Sequence, residues 1–290
     1  MPRPEELSTQ IFLDSGDPED TKKALALLGF LDGQTTNPSL VAKNPALQEK
    51  IASGVVLNAR EVDDFYKGVV QEISSRIPNG SVSVEVFADA DTDVNTMLTQ
   101  AREMFAWIPN AHIKFPTTRA GLEAANIFVK ENGRVNMTLV FSQEQCAAVY
   151  AATAGAHRGD VFVSPFVGRL DDTGVDGMSL IENARTMYAS GDGHVQVLVA
   201  SVRNMDHFLY SLHLKADIIT CPMGILEEWA STGMPLPPAD YAYPDDGRTP
   251  IPFANSSLTA DWRLMNITHE LTDAGIERFA SDWNKLIGNH

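Results

Sequence analysis

Residues 111–140 read AHIKFPTTRAGLEAANIFVKENGRVNMTLV, and this stretch contains one complete unit of the pattern that decides the fold. A short apolar run surrounds Lys114, a segment of helical periodicity covers residues 120–132, and a second apolar run surrounds Thr138. A strand, a helix and a second strand in this order are typical of a parallel sheet. The stretch therefore predicts one βαβ unit.

The same alternation begins at Gln10 and yields eight candidate strands. They are IFLD ending at Asp14, FLDG ending near Gly33, SVSVEVF around Glu85, HIKF around Lys114, VNMTLVF around Thr138, VFVSP around Ser164, VQVLVAS ending at Ser201 and DIITC ending at Cys221. A closed barrel of eight such units needs about 250 residues, and the chain has 290. We therefore predict a single α/β domain over residues 1–290, a (β/α)8 TIM barrel.

Two smaller domains also fit the length. An open doubly wound sheet is the other alternative, although its G-x-G-x-x-G fingerprint is missing after the first strand.

Two segments near the C-terminus depart from this rhythm. Residues 231–267 are rich in Pro, Gly, Asp and Ser, which predicts a surface insertion that contacts with another subunit could order. Residues 272–287 carry apolar side chains at helical spacing and predict a C-terminal helix extension. The apolar face of that helix must dock on another part of the molecule.

Charge and composition exclude several classes of protein. The formal net charge of −16 repels nucleic acid and anionic membrane surfaces, so we expect neither as a partner. The N-terminal MPRPEELSTQ lacks the apolar core of a signal peptide, and no apolar run approaches the roughly 20 residues of a membrane span. These features predict a cytoplasmic protein. Cys146 and Cys221 match no metal or redox spacing, and the histidines form no H-E-x-x-H pair, so no metal site is predicted.

Of all the residues, Lys114 most strongly indicates a catalytic role. It stands between Ile113 and Phe115 inside a strand, while the other lysines fall in helices or loops. Both faces of a strand in a parallel barrel are dry, and a dry site favours the neutral amine, which is the form that attacks a ketone to make an imine. The alternative is a lysine at the strand edge whose charge reaches solvent.

Two carboxylates occupy similar positions in other strands. Glu85 interrupts the β-branched run of VSVEVFA and either moves protons through a bound water or forms a structural salt bridge with Lys114 or an arginine. Asp14 ends the first strand. Because Ser15 and Asp17 are well placed to cap the helix that follows, Asp14 is free to point into the barrel mouth.

The segments SPFVGRLDD and VLVASVRN place a serine and an arginine after each of two late strands. Ser164 is followed by Arg169, and Ser201 is followed by Arg203. Guanidinium groups and hydroxyls match phosphate oxygens, and the late loops of barrels often bind phosphate, so these residues form a candidate phosphate clamp. The alternative is that both arginines pair at the surface with a nearby carboxylate, which would be Asp171, Asp172 or Asp206.

Taken together and in this order, the segments resemble the successive signatures of the transaldolase family. The matching motifs are FLDS with Asp14, GQTTNPS with Asn37, VEV with Glu85, IKFPTT with Lys114, NMTLVFS with Asn136 and Thr138, SPFVGRLDD with Ser164, Phe166 and Arg169, and SVRN with Ser201 and Arg203. The resemblance runs from Ile11 to Trp229 and resumes in LTDAGIERFASDWNKL, which looks like the terminal helix of the small transaldolase-like subfamily. Gln34 departs from the family pattern, which commonly has an apolar residue there, and the insertion has no counterpart in the small subfamily.

The resemblance implies a transferase of the pentose phosphate pathway that holds a dihydroxyacetone unit on Lys114 as an imine, without a metal or an organic cofactor. It implies that Glu85 acts through water as acid and base, that Thr138 orients this water, and that Asp14 handles a sugar hydroxyl proton. The residues implied to bind the substrate are Asn37 and Asn136 at the hydroxyls, Ser164, Phe166 and Ser201 in the pocket wall, and Arg169 and Arg203 at the phosphate. Sugar phosphates are the expected ligands, and we expect a homo-oligomer.

Two other functions remain as alternatives. Fructose 6-phosphate aldolases resemble this chain but release dihydroxyacetone, and they look different in having glutamine at the position of Glu85 and tyrosine at that of Phe166. This sequence has the transaldolase residue at both positions. A catalytically silent barrel that binds sugar phosphates is the second alternative. Such a barrel would not need Asp14, Glu85 and Lys114 in strand positions.

Overall fold

Strands and helices alternate along most of the chain. The computed structural model describes residues 2–287. The strands are β1 Gln10–Asp14, β2 Gly33–Thr35, β3 Ser81–Glu85, β4 Ala111–Pro116, β5 Val135–Val140, β6 Val161–Pro165, β7 Val175–Asp176, β8 Val195–Val199, β9 Ile218–Cys221 and β10 Thr249–Pro250. The helices are α1 Pro18–Leu28, α2 Pro38–Ala42, α3 Pro45–Ala52, α4 Ala59–Arg76, α5 Val94–Phe105, α6 Arg119–Lys130, α7 Gln143–Ala152, α8 Val167–Asp171, α9 Gly177–Tyr188, α10 Met205–His213, α11 Met223–Ser231 and α12 Glu270–Leu286, with a 3-10 helix at Trp262–Leu264. No helix in this described part of the chain is both long and apolar enough to cross a membrane.

Eight strands close into a parallel barrel, which confirms the predicted fold. Hydrogen bonding follows the order β1, β2, β3, β4, β5, β6, β8 and β9, and β9 pairs back onto β1 with Gln10 opposite Ile218. β7 and β10 pair with each other outside the barrel. Because the barrel strands are all parallel, their carboxyl ends meet at one mouth, where enzymes of this architecture keep their active sites.

The predicted position of the second strand is wrong. The apolar pattern places it over FLDG, ending near Gly33, whereas β2 begins at Gly33 and ends at Thr35. The strand consists of small and polar residues that are fully enclosed, so an apolar run does not mark it. The side-chain amide of Gln34 is hydrogen-bonded at both ends. It accepts from the hydroxyl of Thr21 at 2.6 Å and donates to the Ser15 carbonyl at 2.7 Å.

An aromatic layer fills the lower part of the barrel interior. The ring of His112 stacks on that of Phe162 with centroids 4.1 Å apart, and Phe162 meets Phe12 edge to face at 6.0 Å. Gly33 leaves room for the Phe12 ring, because a Cβ at that position would lie 2.5 Å from the ring. Lys114 stands two positions after His112 on β4, so it faces the same interior one layer nearer the mouth.

Residues 232–269, which we call the strap, connect α11 to α12 across the outside of the barrel. Side chains of three barrel helices hydrogen-bond to main-chain carbonyls of the strap, so the chain's own helices hold it. These contacts are Arg119 to Trp262 (2.7 Å), Gln143 to Pro252 (2.9 Å) and Asn183 to Ile251 (2.8 Å). The strap contains residues 232–267 of the segment predicted as a surface insertion over 231–267, whose first residue, Ser231, ends α11. That residues 1–290 form a single domain with this insertion stays a prediction.

The C-terminal helix docks at the rim of the barrel mouth. α12 runs from Glu270 to Leu286, where the sequence predicts a helix over 272–287. The hydroxyl of Thr272 donates to the carbonyl of Leu139 near the end of β5 at 2.9 Å. Trp283, further along the helix, meets the ring of Tyr66 with centroids 6.1 Å apart. These contacts bring one face of α12 to the strand ends.

Candidate active site

A cavity of about 190 Å³ opens at the carboxyl ends of the barrel strands. Ten of the eleven site residues predicted from the sequence line it: Asp14, Asn37, Lys114, Asn136, Thr138, Ser164, Phe166, Arg169, Ser201 and Arg203. The eleventh, Glu85, is buried against Lys114. The structure thus brings the predicted residues together, while their individual roles stay predictions.

Lys114 and Glu85 form a buried ion pair across neighbouring strands. The register of β3 and β4 sets the two residues opposite each other. The ammonium Nζ lies 2.7 Å from the carboxylate Oε2, and only 4% of each side chain is exposed. Nζ also donates to the carbonyl of Thr36 at 3.1 Å. The alternative in which Lys114 reaches solvent is therefore wrong, and the salt bridge considered for Glu85 is present.

Burial makes the ionised form of Glu85 less favourable. It raises the pKa of Glu85, against the opposing positive charges of Lys114 and Arg169. Although Oε2 lies close to Nζ, it has no well-directed hydrogen-bond donor among the described residues. In a buried ion pair, each charge stabilises the other while both groups are ionised. A proton that moves from the lysine nitrogen to the carboxylate oxygen neutralises both groups at once. The geometry therefore allows a proton to pass directly between the two side chains.

Asp14 is held at the end of β1 by two threonine hydroxyls in series. Thr35 Oγ1 donates to Asp14 Oδ1 at 2.6 Å and lies 2.6 Å from Thr220 Oγ1. Because Thr35 has one hydroxyl proton, Thr220 must be the donor in the second bond. Burial raises the pKa of Asp14, while the hydrogen bond from Thr35 and the charge of Lys114 oppose that rise. A carboxyl group of raised pKa is suited to accept and return a proton near neutral pH.

Two asparagine amides are oriented by hydrogen bonds to the protein. Asn136 donates from Nδ2 to Ser83 Oγ at 3.0 Å and accepts at Oδ1 from Ser164 Oγ at 2.6 Å. Asn37 caps α2, because its Oδ1 accepts the N–H of Leu40 at 2.9 Å. This cap leaves the Nδ2 donor of Asn37 for a ligand in the cavity that the residue lines.

Thr138 offers an unpaired hydroxyl to the cavity. It is fully buried, and its Oγ1 has no hydrogen-bond partner within residues 2–287. It stands two positions after Asn136 on β5, so it faces the same interior nearer the mouth. Buried polar groups are nearly always hydrogen-bonded, and an orphan hydroxyl in a polar cavity is suited to hold a water molecule or a ligand.

Tyr66 supports the ion pair from outside the barrel, and sequence reasoning missed it. Its hydroxyl accepts the backbone N–H of Glu85 at 2.9 Å and donates to Thr36 Oγ1 at 2.6 Å. The Thr36 hydroxyl donates in turn to the carbonyl of Ser83 at 2.7 Å. In the sequence Tyr66 looks like an ordinary apolar-face residue of α4. Only the fold shows that its hydroxyl fixes the backbone that carries Glu85.

Arg169 extends over aromatic rings into the cavity. Its guanidinium carbon lies 5.1 Å from the centroid of Phe166 and 5.4 Å from that of Phe279. No carboxylate lies within 4.0 Å of it in the described chain. Burial lowers the pKa of Arg169, and the positive charge of Arg278 lowers it further. The alternative of a surface ion pair therefore does not hold for Arg169.

Arg203 approaches the same region along a tight backbone. It forms an ion pair with Asp172, which was one of the alternatives considered for the arginines, and 45% of its side chain is exposed. Gly168 permits this approach, because a Cβ there would lie 2.4 Å from the Ser201 carbonyl and 2.6 Å from Arg203 Nε. Ser201 itself adopts a left-handed backbone with φ 59°, which turns the chain after β8 toward the cavity.

His207 connects the loops that carry the two arginines. Its Nδ1 accepts the backbone N–H of Arg203 at 3.3 Å, and its Nε2 lies 2.6 Å from Asp171 Oδ2. Asp171 also forms an ion pair with Arg248 of the strap. Asp171 therefore links the loop of Arg203 to the strap, through His207 and Arg248. It pairs with neither Arg169 nor Arg203.

The structure adds cavity residues that the sequence did not suggest. Arg278 and Phe279 come from α12, which sequence reasoning predicted only as a docked amphipathic helix. The remaining additions are apolar or small polar residues near the strand ends: Thr35, Ser39, Leu40, Leu198, Ala200 and Thr220. Arg278 lies within the segment that resembles the terminal helix of the small subfamily, but that resemblance assigns it no role, and its place in the cavity depends on how α12 docks.

The site combines an amine, two carboxyl groups of raised pKa, oriented amides and hydroxyls, and a cationic rim.

The model of the transaldolase/fructose-6-phosphate aldolase family matches residues 11–290. A probable transaldolase from Dehalococcoides mccartyi is 37% identical over 277 residues, covering 96% of this chain and 99% of that protein. One from Methanococcus maripaludis is 36% identical over 274 residues, covering 94% of this chain and 97% of that protein.

Another probable transaldolase, from Anaeromyxobacter sp., is 37% identical over 277 residues, covering 96% of this chain and 98% of that protein. Among solved structures, 3-hexulose-6-phosphate synthase from Salmonella typhimurium superposes with a TM-score of 0.46 at 12% identity, over 77% of this chain and 97% of that one. The sequence relatives match nearly the whole chain. On these grounds the chain belongs to the transaldolase/fructose-6-phosphate aldolase family.

Proposed function

We propose that the protein is a transaldolase, which moves a dihydroxyacetone unit from a ketose phosphate to an aldose phosphate through an imine on Lys114. Sedoheptulose 7-phosphate and fructose 6-phosphate are the proposed donors. The observation that carries the proposal is the buried Lys114–Glu85 pair, 2.7 Å apart, at a cavity that Arg169 and Arg203 also line. The family membership supports an aldolase-type enzyme.

The first step is formation of the imine. A proton passes from the Lys114 ammonium to Glu85, and the neutral amine adds to the ketone carbon C2 of the donor. The resulting carbinolamine loses its hydroxyl as water, with the proton returned from Glu85 through a water molecule that Thr138 holds. The protonated imine then acts as the electron sink, so this chemistry needs no metal or organic cofactor.

The second step is cleavage between C3 and C4. Asp14 accepts the proton of the C4 hydroxyl, C4 becomes the carbonyl of an aldose phosphate, and the electron pair of the broken bond passes into the imine as an enamine. After the first aldose phosphate leaves, the enamine attacks the carbonyl of a second one, and Asp14 returns its proton to the new hydroxyl. Hydrolysis of the imine releases the new ketose phosphate and restores Lys114.

Phe166 favours transfer over simple cleavage. Its ring lines the cavity beside Arg169 and has no acidic proton to donate. A tyrosine hydroxyl at this position would add a second proton donor close to the enamine. Without this hydroxyl, protonation of the enamine is slow, and the three-carbon unit stays bound to Lys114 until an acceptor binds.

The experiment that tests this function follows fructose 6-phosphate with and without erythrose 4-phosphate. We expect slow turnover of the donor alone and a large increase on adding the acceptor, with sedoheptulose 7-phosphate as product. Release of free dihydroxyacetone at the same rate with and without acceptor would replace the transferase by an aldolase. No turnover under either condition would favour a silent sugar-phosphate-binding barrel.

The cellular setting follows from this proposal. We place the activity in the cytoplasm, in the pentose phosphate pathway, with sugar phosphates rather than nucleic acid or membranes as partners. We further propose a homo-oligomer. Light scattering after gel filtration checks this last point, and a monomer of 31.6 kDa would contradict it.

A further inference from the structure

Arg278 is the residue of the C-terminal helix that brings charge to the cavity. It lines the cavity together with Arg169 and Arg203, although 109 positions separate it from Arg169 in the chain (278 − 169). In the sequence it stands beside Phe279, whose ring lies against Arg169. The cavity rim therefore carries three guanidinium groups from three separate segments.

Packing of α12 fixes where Arg278 is presented. Gly275, one turn before Phe279, lets the helix approach closely, because a Cβ there would lie 2.8 Å from Arg169 Nη1 and 2.6 Å from a methyl of Leu139. Two turns after Gly275, on the same face of the helix, Asp282 accepts a hydrogen bond from Ser39, which also lines the cavity. Contacts before and after Arg278 along the helix thus hold this turn of α12 at the mouth.

Two of the three guanidinium groups at the rim have no protein carboxylate as a partner among the described residues. Across residues 2–287, neither Arg169 nor Arg278 has a carboxylate oxygen within 4.0 Å, and Arg203 pairs only with the exposed Asp172. Like charges near one another destabilise the folded protein. Three guanidinium groups around one cavity, in a protein of net charge −16, therefore indicate a site for an anion.

From this arrangement we infer that Arg278 is a third phosphate-binding residue, so that a bound sugar phosphate fastens α12 over the cavity mouth. The inference rests on the proposed function for the identity of the sugar. Arg169 and Arg203 stand on the barrel, while Arg278 stands on a separate helix at its rim. An anion shared by all three joins the two parts, which closes the cavity around the substrate.

Steady-state kinetics of Arg278→Ala test the binding role. We expect KM for fructose 6-phosphate to rise about 10-fold, the lower end for one charge-assisted hydrogen bond, because the side chain is exposed. The rate with dihydroxyacetone as donor and an unphosphorylated aldose as acceptor, so that neither substrate carries a phosphate, should stay within about 2-fold. Arg278→Lys should fall between the wild type and the alanine variant, because it keeps the charge but not the planar fork.

Lys285→Ala is the matched control. It removes one positive charge from the same helix, at a side chain that is 63% exposed and does not line the cavity; Lys285 pairs with Oδ1 of Asp282, whereas Ser39 donates to Oδ2. This variant should keep the KM of the wild type for both donors. An unchanged KM in Arg278→Ala, or equal losses with both donors, would overturn the inference.

Hydrogen exchange provides a second measurement that does not depend on turnover. Inorganic phosphate should slow amide exchange over residues 270–286 in the wild type and in Lys285→Ala, and should not do so in Arg278→Ala. Equal protection in Arg278→Ala would refute the closure. If Arg169→Ala and Arg203→Ala raise KM selectively while Arg278→Ala does not, the proposed function stands and only this inference fails. If no ketose phosphate is turned over, the proposed function fails and the exchange result still decides the role of Arg278.

Discussion

The Nζ atom of Lys114 lies 2.7 Å from Oε2 of Glu85, and each side chain is 4% exposed. Removing the carboxylate from such a pair deprives the ammonium of its partner and favours the neutral amine. Imine formation can therefore survive the loss of Glu85, whereas proton transfer through water cannot.

Glu85→Gln should lower kcat for transfer by about 10² to 10⁴-fold, the usual contribution of a positioned acid or base. Its amide can hydrogen-bond to water but cannot act as a general acid or base near neutral pH. Trapping with borohydride should still label Lys114 in this variant, which shows that the site is intact. Full transferase activity in Glu85→Gln would refute the proton-transfer role of this carboxylate.

Phe166→Tyr should raise the rate of acceptor-independent cleavage and weaken the dependence on erythrose 4-phosphate. The new hydroxyl would stand beside Arg169, in the same cavity that Lys114 lines and where we propose that the enamine forms. A coupled assay of free dihydroxyacetone measures the effect. In the double variant with Glu85→Gln, the tyrosine should restore part of the lost cleavage but not the transfer. A Phe166→Tyr enzyme that still requires acceptor as strictly as the wild type would contradict the account of proton delivery.

Asp14→Asn should abolish most of the turnover and raise the thermal stability at neutral pH. Burial raises the pKa of Asp14 in the folded protein, so the folded state ionises this group less readily than the unfolded chain does. The resulting loss of stability is absent at low pH, grows as pH rises above about 3.9, and is complete above the folded pKa. The gain in Tm should therefore be on the order of a few degrees at pH 7.5 and should shrink toward pH 4.5.

Asp240→Asn is the matched control for that measurement. It removes the same charge from an exposed position in the strap, so it reports the effect of reducing the net charge of −16 alone. Differential scanning calorimetry at both pH values separates the two effects. A gain in Asp14→Asn that is no larger than in Asp240→Asn, or that grows toward low pH, would refute the raised pKa.

Tyr66→Phe should reduce both stability and kcat. The change leaves the backbone N–H of Glu85 and the hydroxyl of Thr36 short of a partner in a buried site, which costs about 1–3 kcal/mol. Because the backbone of Glu85 then loses its support, we expect roughly a 10-fold loss in kcat. Denaturant unfolding and steady-state kinetics measure the two effects.

Tyr188→Phe separates the structural effect from the functional one. It also removes a buried tyrosine hydroxyl, which donates to the Cys146 carbonyl at 2.7 Å, at a position that does not line the cavity. The stability loss should be similar, with kcat unchanged. Equal kcat in Tyr66→Phe and the wild type would show that Tyr66 serves stability alone.

The barrel was predictable because most of its strands are apolar runs with polar residues at their ends. Asp14, Lys114 and Thr138 stand out for that reason, since each interrupts or ends such a run. β2 was misplaced because its enclosed residues are polar or small, and their partners, such as Thr21 for Gln34, lie on another element.

Other parts of the site depend on tertiary contacts that a linear pattern does not encode. The helical spacing of α12 shows that one face is apolar but not which end of the barrel receives it, so Arg278 could not be assigned. Tyr66 was hidden for a similar reason, because its ring belongs to the core and only its hydroxyl serves the site. The strap is held by its main-chain carbonyls, which carry no sequence signature.

The measurement that tests the central claim most directly is reduction of the covalent intermediate with borohydride in the presence of fructose 6-phosphate, followed by peptide mapping by mass spectrometry. We predict a reduced dihydroxyacetone adduct on Lys114 and none in Lys114→Arg. Lys43 is the internal comparison, because its charge is close enough to influence Asp14 while it stands outside the cavity, at the end of α2. An adduct on Lys43 or on another lysine, or no adduct at all while the enzyme turns over, would contradict the imine on Lys114.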